Sequence, residues 1–221
     1  MKGGHDLGGQ LDMGPINPEP ESQEPVFHFE WERRVFGLTL ATGMLGKWNI
    51  DESRHARERQ DPLVYVQNSY YENWLEGIET LLVEKGLISA DELKQGTATS
   101  AQIEQVVSAP SPEVANKILA SGAPSTMESD SEPLYSKGER VAVKASEAVG
   151  HTRAPKYVQG RTGVVTALLG CHSYPDSNAS GVHEGQHLYR VSFAGDDLWE
   201  SRSEAAEVLI DLWEPYLEAS R

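Results

Sequence analysis

The hydrophobic residues of this chain change their spacing near Pro133, and this change constrains the fold more than any other sequence feature. Before it, apolar residues recur every three or four positions, as on one face of an α-helix. After it, they alternate with polar residues over short runs, as in half-buried β-strands. The chain is therefore predicted to have an α+β fold, with a helical N-terminal half and a strand-rich C-terminal half.

Residues 30–95 contain four helix starts. The first helix begins near Glu30 and has apolar or small residues at helical spacing: Trp31, Val35, Leu38, Thr42 and Leu45. Each of the next three begins at an Asn or Ser that is followed three residues later by Glu, which is the pattern of a capping box. These pairs are Asn49 with Glu52, Ser69 with Glu72, and Ser89 with Glu92. The expected ends of these three helices are Asp61–Pro62, Lys85–Gly86 and Gly96.

Residues 134–221 are predicted to form a small β-barrel of the SH3-like or OB-like kind. The predicted strands are short and are separated by turn residues. They cover 140–144, 163–168, 187–193 and 208–212, with a closing strand or turn at 213–217.

Two further segments have neither pattern. Residues 1–29 form an arm rich in Gly and Pro, and such an arm is expected either to be disordered or to lie against a partner. Residues 96–133 are read as a linker with short helical pieces, one of which begins at Ser111–Pro112. The expected organisation is therefore an arm (1–29), a helical domain (30–95), a linker (96–133) and a barrel domain (134–221).

The net charge of −15 argues against a nucleic-acid-binding protein, because phosphate contacts require a surplus of Lys and Arg. Residues 1–132 carry most of the charge, with 10 basic and 22 acidic side chains. A single cysteine, Cys171, excludes an internal disulfide framework or a thiolate cluster built by this chain alone. No apolar run has the length of a signal peptide or a membrane span, so a cytoplasmic protein is expected.

One stretch of the acidic chain contains no Asp or Glu, from Ala148 to Pro175. It carries three permanent cations: Arg153, Lys156 and Arg161. Cations without a local counter-charge indicate a site for an anionic group, although an ordinary solvated loop between two strands is an equally good interpretation.

The residues capable of catalysis do not form a complete active site. The histidines near the arm and in the acid-free stretch are not accompanied by a catalytic triad, paired carboxylates or metal-ligand spacing. Arg54 and Arg57 share one face of the second helix, and a solvated surface on which Arg57 and Arg59 pair with Glu52 and Glu58 is the simpler interpretation. If the protein is part of an enzyme, half of its active site must lie on another chain.

Taken in order along the chain, a set of motifs resembles the beta subunit of nitrile hydratase. The motifs are 5–9 (HDLGG) with 14–17 (GPIN), 24–27 (EPVF) with 30–32 (EWE), 51–54 (DESR), 70–72 (YYE) with Trp74, 82–86 (LVEKG), 150–153 (GHTR) with Tyr157 and 160–163 (GRTG), and 211–217 (DLWEPYL). The set leaves only the linker uncovered. Residues 37–41 (GLTLA) and 58–62 (ERQDP) depart from the pattern of the family, which leaves the shape of a substrate pocket undetermined.

This resemblance implies a helical half joined to an SH3-like barrel, with the arm wrapped around a metal-bearing alpha subunit in an αβ or α2β2 assembly. The implied activity is the hydration of small nitriles to amides. The alpha subunit would hold Fe(III) or Co(III) through cysteine thiolates and backbone amides, two of the cysteines being oxidised, and this chain would bind no metal.

Individual residue roles follow from the same resemblance. Arg54 and Arg153 would donate hydrogen bonds to the oxidised cysteines across the interface, and Tyr70 would orient polar groups of the site. Trp74 and Ile50 would line the substrate pocket. Two alternatives stay open: an activator or metallochaperone, which would lack the barrel half, and a thiocyanate hydrolase component, in which the two halves are separate chains.

Overall fold

The structure is a computed structural model that describes residues 3–10, 12–99, 109–145, 150–199 and 206–220. The described residues form two compact units. Unit 1 consists of Met1–His5 with Asp12–Ala123, and unit 2 of Asp6–Leu11 with Pro124–Arg221. The expected division into arm, helical domain, linker and barrel domain stays a prediction.

Unit 1 contains six helices in its described residues. They are α1 (Glu30–Gly43), α2 (Ile50–Glu58), α3 (Pro62–Gln67), α4 (Tyr70–Glu84), α5 (Ala90–Gln95) and α6 (Pro112–Ser121). All but α3 were predicted. Helix α3 was missed because Pro62 was read as a stop, whereas it occupies the first position of a new helix, where its missing N–H costs nothing. The Asp61 carboxylate caps that helix by accepting the backbone N–H of Leu63 at 2.9 Å.

The capping boxes form as predicted. In α2, the Asn49 side chain accepts the backbone N–H of Glu52 at 2.9 Å, and the Glu52 carboxylate accepts the backbone N–H of Asn49 at 2.8 Å. Ser89 and Glu92 make the corresponding pair at the start of α5. Local side-chain hydrogen bonds therefore fix where these helices begin.

The apolar face predicted for α1 is only partly buried. Val35 is buried, but Trp31 is 36% exposed and Leu38 is 52% exposed. A charged residue, Glu32, is buried beside Val35 because its carboxylate accepts the backbone N–H groups of His28 and Phe29.

Helix α4 is the element on which α1 and α2 pack. Its inner face presents Gly77, Ile78 and Leu81. A Cβ atom at position 77 would lie 2.5 Å from Cγ of Arg57, so the absence of a side chain lets α2 approach α4 closely. This approach places Arg57 against the middle of α4.

Unit 2 contains a five-stranded antiparallel sheet in the order β4-β3-β2-β1-β5. Its strands are β1 (Arg140–Val143), β2 (Thr162–Ser173), β3 (Gly185–Ala194), β4 (Glu207–Trp213) and β5 (Leu217–Ala219). Two short helices, α7 (Pro175–Asn178) and α8 (Gly195–Leu198), follow β2 and β3. The α+β class is confirmed, whereas no pairing among the described residues joins β4 to β5, so the sheet is open and an SH3-like closure stays a prediction.

Strand β2 is longer than predicted. It was expected to end at Leu168 but continues to Ser173, with register shifts between Val165 and Ala167 and between Leu168 and Gly170. Such bulges bend a strand without ending it, which hides its continuation from a strict two-residue alternation.

The core of unit 2 is built mainly from the inward-facing side chains of the sheet. Its fully buried members on the strands are Val141, Val143, Val165, Tyr189, Val191, Phe193, Leu212 and Leu217, and Val158 joins them from the short turn 156–158 that precedes β2. β-Branched and aromatic residues dominate, as expected for a pleated surface that is buried on one side. No helix in the described part of the chain combines the length and the apolar character needed to cross a bilayer.

Candidate functional site

Arg54 lies on α2 and is anchored by a buried carboxylate. Its Nη1 atom donates to Oδ1 of Asp51 at 2.9 Å, and the Asp51 side chain is 6% exposed while that of Arg54 is 43% exposed. A guanidinium group carries five N–H donors in a fixed plane, so this bond orients the group and leaves donors for a second anion.

Tyr70 and Trp74 occupy the first two turns of α4, and their ring centroids lie 5.5 Å apart. Tyr70 is 65% exposed, whereas Trp74 is half-buried. On its other sides, Trp74 contacts Phe36 and Tyr71 at centroid distances of 6.1 and 5.9 Å. Ile50 is the first residue of α2 and is exposed, so unit 1 carries Ile50, Arg54, Tyr70 and Trp74 on two helices that pack together.

The interpretation of Arg57 as a solvated surface residue is wrong. Its guanidinium carbon lies 4.8 Å from the centroid of the Trp74 ring, and its Nε atom donates to the carbonyl of Ser53 at 3.1 Å. Burial lowers the pKa of Arg57, and the neighbouring Tyr70 opposes this shift. The sequence could not reveal this packing because it depends on the glycine at position 77 of another helix.

The surface ion pairs of α2 also differ from the prediction. Arg59 pairs with Glu84 through two hydrogen bonds of 2.7 and 2.9 Å, rather than with Glu58. Glu52 pairs with Lys85, near the end of α4. Both pairs connect α2 to α4, so they depend on tertiary contacts rather than on helical spacing.

Arg153 lies in unit 2, in the connection between β1 and β2, and is exposed. Its backbone N–H donates to the hydroxyl of Tyr216 at 3.0 Å. Tyr216 is 7% exposed and follows β4 in the DLWEPYL motif. The loop that presents the Arg153 guanidinium is therefore fixed to the core by a tyrosine hydroxyl.

Asp176 on α7 lies at the centre of this anchor. It accepts a hydrogen bond from the hydroxyl of Tyr216 and a second from the hydroxyl of Tyr174, the latter at 3.1 Å. Burial raises the pKa of the Asp176 carboxyl, and the two hydroxyl groups partly oppose this shift. Burial together with the Asp176 carboxylate raises the pKa of Tyr216 well above its ordinary value, so this hydroxyl stays protonated and donates.

The acid-free stretch is not free of carboxylates in three dimensions. Asp176, the residue immediately after it, folds back against Tyr216. Asp6 accepts the backbone N–H of Lys156 at 3.1 Å. Two carboxylates from outside the stretch therefore contact it: Asp6 binds its backbone at Lys156, and Asp176 binds the hydroxyl of Tyr174.

Sequence reasoning missed the packing of Arg57 in unit 1 and, in unit 2, the anchor formed by Asp176 and the hydroxyl of Tyr216. The only available signals were the position of Asp176 at the edge of the acid-free stretch and that of Tyr216 within a matched motif. Neither signal identifies a hydrogen-bond partner.

The described residues contain no cluster of three or more His, Cys, Asp or Glu side chains that could hold a metal ion. Cys171 is buried, and its Sγ atom lies 4.0 Å from the carbonyl oxygen of Glu128.

Comparison with known proteins divides the chain between residues 123 and 124, where the main boundary between the two compact units also lies. Residues 1–123 match the family described as nitrile hydratase beta subunit, N-terminal, and residues 124–219 match its C-terminal counterpart. This chain therefore carries both halves. The activator interpretation requires the C-terminal half to be missing, and the thiocyanate hydrolase interpretation requires the two halves to be separate chains.

Curated relatives match over almost their whole length. The chain is 37% identical to nitrile hydratase subunit beta of Pseudomonas putida, with 99% of each chain covered. It is 36% identical to the low-molecular weight cobalt-containing nitrile hydratase subunit beta of Rhodococcus rhodochrous, covering 98% of this chain and 99% of that protein. A solved structure of apo thiocyanate hydrolase from Thiobacillus thioparus is 27% identical and covers 40% of this chain and 78% of that one, with a TM-score of 0.39.

The matches at both ends of the chain, together with full-length relatives above 30% identity, lead to one conclusion: the chain belongs to the nitrile hydratase beta subunit family.

Proposed function

We propose that this chain pairs with a metal-bearing alpha subunit and that the complex is a nitrile hydratase, a hydro-lyase that converts small nitriles to amides. The proposal rests on similarity to nitrile hydratase beta subunits along the full length of the chain, so that both its N-terminal and its C-terminal half are matched. The exposed guanidinium of Arg54, oriented by a buried carboxylate, is the feature of this chain that fits the role best.

In this proposal, Arg54 and Arg153 donate hydrogen bonds to the oxygens of oxidised cysteines on the alpha subunit. A guanidinium group suits this task because it is always charged and its donors point in fixed directions. Each such bond at a desolvated interface contributes about 1.5–3 kcal/mol. The Asp51 carboxylate accepts a hydrogen bond from the Arg54 guanidinium, and the Tyr216 hydroxyl accepts one from the backbone N–H of Arg153.

The remaining predicted residues form the wall of the substrate site. Tyr70 exposes its ring and hydroxyl at the start of α4, and Trp74 and Ile50 present apolar surface beside it. Such a wall excludes water from the reacting nitrile and positions its side group. Tyr70 orients polar groups through its hydroxyl.

The metal would belong to the alpha subunit, in keeping with the cobalt-containing relatives from Rhodococcus rhodochrous and Pseudonocardia thermophila. When bound there as Co(III) or Fe(III), it supplies Lewis acidity for the hydration. The contribution of this chain is to bind, orient and desolvate.

Finer features belong to the same proposal. The assembly is an αβ heterodimer or an α2β2 heterotetramer in the cytoplasm, and residues 1–29 wrap the alpha subunit. The open sheet of unit 2 corresponds to an SH3-like barrel.

The arginine roles are tested by substitution in the co-expressed complex. Arg54→Lys and Arg153→Lys keep the charge but lose the forked donor geometry, so each is expected to lower the turnover number for a small nitrile at least tenfold, with an unchanged circular dichroism spectrum.

Matched controls are available on the same elements. Arg59→Lys alters a surface pair at the end of α2, and Arg161→Lys alters an exposed cation of the Arg153 loop. Both should keep near-normal turnover. Near-normal turnover of Arg54→Lys or Arg153→Lys would refute the assigned role, and the absence of a stable complex with the alpha subunit would refute the subunit proposal itself.

A further inference from the structure

Arg57 is a cation placed where a packed helix pair would ordinarily carry an apolar side chain. Its stem lies against Gly77, in the contact between α2 and α4. Half-burying a charge costs free energy unless the charge finds partners. Its partners here are the carbonyl of Ser53 at 3.1 Å and the face of Trp74 at 4.8 Å.

The Trp74 ring is held from several directions. The Arg57 guanidinium covers one face, and three aromatic rings surround it at centroid distances of 5.5, 5.9 and 6.1 Å. These rings belong to Tyr70, Tyr71 and Phe36. A cation over the face of an indole attracts it electrostatically, and this attraction favours one plane for the ring in addition to the packing that an apolar side chain of similar volume would provide.

The backbone around this contact is also fixed. The Gln60 side-chain amide donates to the carbonyl of Arg57 at 2.8 Å and to the carbonyl of Asn73 at 3.3 Å, which joins α2 to the turn of α4 that carries Trp74. The guanidinium and the indole are therefore mounted on two helices that cannot slide easily past each other. These contacts are better explained by a requirement for one orientation of the Trp74 ring than by the need to fill the space between α2 and α4.

We infer that Arg57 is a positioning residue that fixes the plane of the Trp74 ring and thereby sets the preference of the complex for nitriles with an aromatic side group; the selectivity part rests on the proposed function. An aromatic substituent offers a flat apolar area to the indole, and its contact depends on the angle between the two rings. A methyl group offers little area and depends on that angle only weakly.

The test compares two substrates in the intact complex with the alpha subunit. Arg57→Met keeps most of the stem and removes the charge, so the ratio of kcat/KM for benzonitrile to that for acetonitrile is expected to fall about three- to tenfold, through KM rather than kcat. Arg57→Lys, which keeps a cation, should restore part of the ratio. Arg59→Met, at the residue that follows α2, should leave the ratio unchanged.

A second measurement does not depend on activity. The chain has five tryptophans, so the fluorescence change caused by Arg57→Met is assigned by repeating it in a Trp74→Phe background, where it should vanish. Persistence of the change in that background would overturn the contact.

The possible outcomes distinguish the contact between Arg57 and Trp74 from its effect on substrate preference. An equal fall of kcat/KM for both nitriles, with an unchanged ratio, would show a purely structural role and overturn the inference. A wild-type complex that forms no amide would refute the proposed function and the selectivity role with it, while the fluorescence comparison would still decide whether Arg57 holds the ring.

Discussion

The hydroxyl of Tyr216 connects the loop that carries Arg153 to a buried carboxylate. It accepts the backbone N–H of Arg153 and donates to Asp176. Because the acceptor and the donor role are both occupied, this one oxygen links the backbone at residue 153 to the Asp176 carboxylate.

Tyr216→Phe is therefore expected to affect both stability and activity. Loss of a buried hydroxyl that leaves a partner unsatisfied should lower the free energy of unfolding by about 1–3 kcal/mol. The released Arg153 loop should lower the turnover of the complex several-fold. Thermal unfolding and amide production measured on the same preparation test both effects.

Tyr174→Phe is the matched control, because it also removes a hydroxyl from Asp176 but none from the Arg153 backbone. A comparable loss of stability with a smaller loss of turnover is expected. Equal losses of turnover in the two variants would show that Tyr216 acts through general stability alone.

At the scale of elements, the contact between α2 and α4 depends on the missing side chain at position 77. Gly77→Ala places a methyl group 2.5 Å from Cγ of Arg57, so the Arg57 side chain or the helix that carries it must move. Overpacking of this kind lowers the free energy of unfolding by about 1–3 kcal/mol, although alanine is the better helix former. The unfolding midpoint in urea measures the effect.

Gly37→Ala provides the opposite case. In the described part of the chain, no atom beyond the local backbone of α1 lies within 4 Å of a Cβ built at Gly37, so this substitution should stabilise the protein by about 0.5–1 kcal/mol. If Gly77→Ala stabilised the protein as much, the close approach of the two helices would be contradicted.

The start of α5 gives a pH-dependent prediction. Backbone N–H groups of Ser89 and Thr99 donate to the Glu92 carboxylate and lower its pKa to about 2. Since the folded pKa lies below the ordinary value of 4.5, the cap stabilises α5 above that value and is lost as the pH falls toward about 2. Carbon-detected NMR titration should give a midpoint near 2 for Glu92, and a midpoint near 4.5 would contradict the cap.

The sequence predicts helix starts well because the capping partners are three residues apart and require no other part of the fold. It predicts poorly what depends on distant residues. Arg57 was misread because its burial depends on Gly77, and the end of β2 was misplaced because bulges interrupt the alternation. Arg54 and Arg153 were predicted from local motifs, but the anchor of the Arg153 loop, formed by Tyr216 and Asp176, was not, because these two residues come from other elements.

At the scale of the whole molecule, residues 6–11 do not follow the division suggested by the two family matches. Asp6 accepts the backbone N–H of Lys156, 150 residues away, and Gly8 lies so close to the Tyr157 ring that a Cβ would be 2.6 Å from it. Asp6–Leu11 therefore belongs to unit 2, although the N-terminal family match includes it.

Asp6→Ala should destabilise the backbone of unit 2 near Lys156, which is far from Asp6 in the sequence. The amide of Lys156 loses its acceptor, so hydrogen exchange measured by mass spectrometry should speed up in peptides covering residues 153–159. Asp12→Ala, at an exposed position, is the control and should leave those peptides unchanged. Unchanged exchange in the Asp6 variant would contradict the contact.

The packing of Gly8 and Gly9 against Tyr157 and Trp199 has a practical consequence for dissecting the protein. Cleavage between residues 123 and 124 gives a C-terminal fragment that lacks Gly8 and Gly9. The stacked rings of Tyr157 and Trp199 are then exposed in this fragment, so it is expected to aggregate. Addition of a synthetic peptide of residues 1–11 should then restore a monomeric fragment, by the same principle as complementation of a split protein.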